Sequence, residues 1–115
     1  MPDSIQSNNA AKLEAEALVR VFFADAGTLE QLRTTIDDLA ANAQANTNEL
    51  RALIAAAEDA DYPFAERRHI NAIAMRFQLD YNQMISNWAE WATAQTDSWN
   101  DITDPNAWDW HTSLA

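Results

Sequence analysis

Apolar positions recur along this chain in two long runs whose spacing alternates between three and four residues. The first reads Leu29, Leu32, Ile36, Leu39, Ala43, Asn46, Leu50, Leu53, Ala57, and the second Ile70, Ala74, Phe77, Tyr81, Met84, Trp88, Trp91, Gln95. Such alternation is a heptad, which lays one ridge of side chains along a helix for knobs-into-holes packing. It predicts helices over about 29–58 and 63–96, the first roughly 45 Å long. Ile73, Ile85 and Ala92 flank the second ridge and broaden its apolar face. An earlier, shorter run of Leu13, Ala17, Leu18, Val21 and Phe22 predicts a helix over about 10–25, widened by Val19 and Phe23.

The breaks between these runs carry turn chemistry. Gly27 stands where a left-handed residue would end the first helix. Thr28 follows, with Gln31 three residues on, the signature of a capping box. The stretch EDADYPF, residues 58–64, interrupts the second run, and Pro63 suits the first position of a new helix. A turn this short makes the two long helices antiparallel neighbours. Asn46 is a polar residue on the first ridge; it reads either as a half-exposed residue in an Ala-rich stretch or as a device that fixes helix alignment. The predicted organisation is a flexible lead-in at 1–9, a helical domain at 10–97 and an acidic tail at 98–115. The tail carries Trp99, Trp108 and Trp110, with a turn at Asp104-Pro105-Asn106.

Composition agrees with this outline. One glycine and three prolines in 115 residues leave few turns, which points to an all-α fold in one domain. No cysteine is present, so disulfides and thiolate chemistry are excluded. No apolar run is long enough to span a membrane and the first residues do not resemble a secretory signal, so the expected location is cytoplasmic. The net charge of −11, with no Lys or Arg after Arg76, argues against direct binding to nucleic acid. Acidity serves solubility, or else marks an acidic decoy for a basic partner.

No arrangement of residues supports catalysis. Nucleophilic catalysis needs a Ser, Cys or Thr next to an oriented base; there is no Cys, and His69 and His111 lie in different segments. Asp101, Asp104 and Asp109 lack the glycine and the regular alternation of a calcium loop. A single glycine rules out a glycine-rich phosphate loop. No enzyme activity, cofactor or metal is expected.

The informative residues are therefore the large apolar ones on the ridges. The expected seam comprises Leu29, Leu32, Ile36, Leu39, Leu50 and Leu53 on one helix and Ile70, Phe77, Tyr81, Met84, Trp88 and Trp91 on the other. A hairpin with one short helix leaves faces this wide partly wet, and a second copy would cover them, so a homodimer is expected. The same aromatics could also line a slot for a ligand, because an interface rich in tryptophan is a concave apolar site.

Two blocks carry a family likeness. LEAEALVRVFFADAGTLEQLRTTI, followed by PFAERRHINAIAMRFQLDYNQMISNWAEWA, resembles the C-terminal domain of PadR-like transcriptional regulators over about Lys12 to Gln95. Its most specific points are VRVFFADAGTLEQL and the RF-x-L-x-Y and W-x-x-W run. In that family a winged helix-turn-helix reads DNA and the helical C-terminal domain makes the dimer. The resemblance implies only the second half, because the residues before Lys12 leave no room for a winged helix. It implies a dimerisation or effector-sensing module that could pair with a full-length PadR-like regulator, and a planar aromatic ligand held by Trp88, Trp91 and Met84.

Overall fold

The structure, a computed structural model, describes the backbone of residues 2–115 and the side chains from Ala11 onward. Among the described residues four helices follow one another: α1 Pro2–Phe22, α2 Leu29–Ala57, α3 Arg68–Thr96 and the short α4 Trp110–Leu114. Short 3-10 turns at Ala24–Ala26 and Ala65–Arg67 precede α2 and α3. Among the described residues the β-structure is one isolated bridge, Asp101 to Asp104. The all-α expectation therefore holds, with α2 and α3 packed against each other as the two long helices. Helix α1 begins well before Ala10, so the backbone of residues 2–9 is helical where a lead-in was expected.

Two clusters make the core. Ala17 of α1 packs with Leu39 and Ala43 of α2 and Ile85 of α3. Leu32 and Ile36 of α2 pack with Ala89 and Ala92 of α3, and Val21 and Ala24 close over them. Position along α1 thus rises as position along α2 falls, so α1 runs antiparallel to α2 in the groove beside α3. Each fully buried Leu or Ile contributes on the order of 1.5–3 kcal/mol. The four buried alanines, Ala17, Ala43, Ala89 and Ala92, contribute differently: small side chains let helix backbones approach closely.

The corner between α1 and α2 is built by the capping box. The Gln31 N–H donates to Thr28 Oγ1 at 3.1 Å and the Thr28 N–H donates to Gln31 Oε1 at 2.9 Å. Gly27 is not left-handed, contrary to expectation: its φ is −120°. Its role is steric, because a Cβ there would overlap the Gln31 amide oxygen. Pro63 likewise does not start α3. It lies in the turn, and α3 begins at Arg68 after a 3-10 turn. That tip is held by Arg68, which donates to the Asp59 carbonyl at 2.6 Å and lies 5.7 Å from the centre of the Tyr62 ring.

Asn46 is bound into the α2–α3 seam. Its Nδ2 donates to Asn82 Oδ1 at 3.2 Å, and Asn82 Nδ2 donates to the Gln78 carbonyl at 2.8 Å. Asn82 is buried at 5% exposure, so this pair matches one point on α2 to one point on α3, as a polar residue does in a coiled coil.

Thr28→Ala is expected to lower the unfolding free energy by about 0.5–2 kcal/mol. Gly27→Ala, which displaces Gln31, is expected to cost less than that. Denaturant titration of both variants and of the double variant checks this, and the double variant should not exceed the sum of the two, because both act on one cap.

Candidate functional site

On α3 the buried side chains are Asn82, Ile85, Ala89, Ala92 and Thr96. Each follows by one position a residue of the ridge expected inside: Tyr81, Met84, Trp88, Trp91 and Gln95. One residue is a rotation of about 100° around the helix. The seam with α2 is therefore the small-residue face, and the bulky ridge is turned outward. Phe77 is 71% exposed, Met84 52%, Ile70 47%, Tyr81 42% and Trp91 39%. Those five do not belong to the intramolecular seam, and Leu53 of α2, at 54% exposure, does not either. On α2, Leu32, Ile36, Leu39 and Leu50 are buried, and Leu29 is half-buried against the second cluster.

Trp88 is the exception on the ridge. It packs against both core clusters and joins α1, α2 and α3. Of the three residues expected to hold a ligand, Trp88 is thus packed against the core, while Trp91 and Met84 are exposed.

Two grooves lie elsewhere. One, of about 770 Å3, runs between the end of α1 and the start of α2, over Val19, Phe23 and Leu32, with Arg20, Glu30 and Asp38 along it. A second, of about 270 Å3, lies toward the hairpin tip, between Ile54 and Ala57 of α2 and Ala72, Met75 and Leu79 of α3. Neither is lined by Trp88, Trp91 or Met84.

The outward ridge continues onto α1. Tyr81 donates its hydroxyl hydrogen to the Glu14 carboxylate, which ties α1 to α3. Leu18 and Phe22 lie one and two turns further along α1 on the same side as Glu14. They are exposed at 52% and 83%. The Tyr81 hydroxyl is held above the usual phenol range because it donates to Glu14, with burial and the charge of that carboxylate acting in the same direction. Sequence reasoning missed Glu14 and Asn82. Their partners lie 67 and 36 residues away along the chain, and no local spacing marks such pairs.

The tail folds back on the open end of the hairpin. Trp99 and Ile102 pack on the second core cluster. Trp108 meets Trp99 edge-on at 5.3 Å, and its indole N–H donates to Gln95 Oε1 at 2.7 Å. Arg33 Nη2 donates at 2.7 Å to the carbonyl of Thr96 at the end of α3, which also accepts from the Trp99 N–H at 3.1 Å. The turn read at Asp104-Pro105-Asn106 is present, with Asn106 left-handed at φ 59°. Asp104 is held below the usual carboxylate range by hydrogen bonds from the Asn100 side chain and the Asn106 N–H. Asp109 caps α4 and is lowered by the Thr112 hydroxyl, then by the N–H groups of His111 and Thr112. His69 and His111 are both exposed and lie in different segments. No group of three or more His, Asp or Glu side chains is placed to hold a metal among the described residues. No described helix is long and apolar enough to cross a membrane.

The fold is a helical hairpin with a third helix in its groove and an exposed apolar ridge. Residues 15–97, well over half of the chain, match the family described as virulence activator alpha C-term, and the chain belongs to that family. The family is that of a regulatory activator domain. This corrects the resemblance to PadR-like regulators, since the family matched is a different one. The blocks behind that resemblance encode a capped helix corner and an aromatic heptad, features that unrelated helical hairpins can share. No curated protein and no solved structure matches the chain significantly.

Trp99→Ala is expected to destabilise the domain by about 3 kcal/mol. It should also release the tail, which limited proteolysis followed by mass spectrometry reads as early cleavage after residue 97.

Proposed function

We propose that this domain is the self-association module of a transcriptional regulator and has no catalytic role. The observation that carries the reading is the outward ridge of α3, continued by Leu18 and Phe22 of α1. Monomeric proteins rarely expose so continuous an apolar surface unless it meets a partner.

The magnitude agrees. The chain exposes 8464 Å2. A compact monomer of 12.9 kDa exposes about 6300 Å2. The radius of gyration is 18.0 Å, where a compact chain of this length has about 13 Å. The excess area, on the order of 2000 Å2, is what each partner of an obligate homodimer covers. A second copy brings the same face, so a two-fold pairing is self-complementary. A longer regulator carrying the same domain presents that face too. Hetero-pairing is then the route by which this chain modulates such a regulator in the cytoplasm, and an effector that binds beside Trp91 and Met84 would act on the same contact.

Sedimentation equilibrium is expected to give twice the chain mass for the wild type. The combined variant Phe77→Glu, Met84→Glu is expected to give the chain mass with its helical circular dichroism retained, because both side chains lie outside the core. A wild type that remains monomeric at high concentration contradicts the reading.

A further inference from the structure

The apolar face carries one ionisable pair near its middle. Tyr81 is stacked on Phe77, with ring centroids 6.5 Å apart and planes 7° apart, and its hydroxyl is bound to the Glu14 carboxylate. Glu14 is half-buried. The charges around it are few. Helix α2 has no charged residue between Asp38 and Glu49, the stretch whose Leu39 and Ala43 pack against Ala17. On α3 the neighbouring Asp80 is engaged by Arg76 at 3.0 Å. On α1, Lys12 and Glu16 stand two residues to either side and are exposed. Among the described residues no cation is paired with Glu14.

We propose that self-association through this face is linked to protonation of Glu14, so that the pair of chains tightens as pH falls. The inference rests on the self-association reading above. A second copy seated on Phe77 and Tyr81 removes water from the Glu14 carboxylate, and a desolvated carboxylate without a cation is costly. Two-fold symmetry brings a second Glu14 to the same interface, which adds repulsion between like charges. The neutral acid avoids both costs and still hydrogen-bonds Tyr81. The paired state therefore binds protons more tightly than the separate chains. Association is strongest at low pH and is lost progressively as pH rises.

The test is sedimentation equilibrium between about pH 5 and about pH 8 at fixed ionic strength. It compares the wild type, Glu14→Gln and, as a control for the overall negative charge, Glu16→Gln. The wild-type dissociation constant is expected to rise across this range by at least about tenfold more than that of Glu14→Gln. Glu16→Gln should follow the wild type. Tyr81→Phe, which leaves the carboxylate without its donor, should pair more weakly than the wild type at the upper pH. Thermal melts followed by circular dichroism verify that each variant is folded. Equal pH slopes for the wild type and Glu14→Gln overturn the proton linkage while leaving self-association intact. Monomers for every variant at every pH overturn both.

Discussion

Everything in this domain is arranged around the close approach of α2 and α3. Ala43 faces the hairpin partner from α2, and Ala89 and Ala92 face it from α3, so that Leu32, Ile36, Leu39 and Ile85 can interlock between two backbones. A large residue in place of Ala89, which is 2% exposed, would have no volume to enter. Because that seam uses the small face of α3, the bulky ridge beside it has no place inside the hairpin. The exposed aromatic surface is thus a direct consequence of how the core is packed.

The remaining elements adjust to this hairpin. Helix α1 lies in one groove and uses Ala17, Val21 and Ala24 to close the two clusters. Trp88 fills the junction of the three helices, and the tail seals the open end with Trp99 and Ile102. Besides Arg33 on the Thr96 carbonyl, two side-chain pairs place the parts against one another: Asn46 with Asn82 between α2 and α3, and Glu14 with Tyr81 between α1 and α3. Neither adds much net stability, since exchanging water for a protein partner yields about 0.5–1.5 kcal/mol. Their effect is on alignment.

The chain's membership of the virulence activator alpha C-terminal family makes it a regulatory helical domain. Its conspicuous side chains, Phe77, Tyr81, Met84 and Trp91, have surface to offer and no reactive arrangement around them.

The chain's own pattern determined a good deal. The heptads set the extent of α2 and most of α3, Thr28 and Gln31 set the corner, and Asp104-Pro105-Asn106 set the turn in the tail, because each depends on residues within one or two helical turns of each other. The same pattern puts Ile70, Phe77, Tyr81, Met84 and Trp91 on one ridge. Only the tertiary structure decided which way that ridge faces. Periodicity assigns residues to a common face, and α3 has two apolar faces about 100° apart. The choice between them rests on side-chain volume opposite α2 and on the placement of α1, which depend on residues distant in the chain. Long-range pairs such as Glu14 with Tyr81 arise from the same docking, so no local spacing could reveal them.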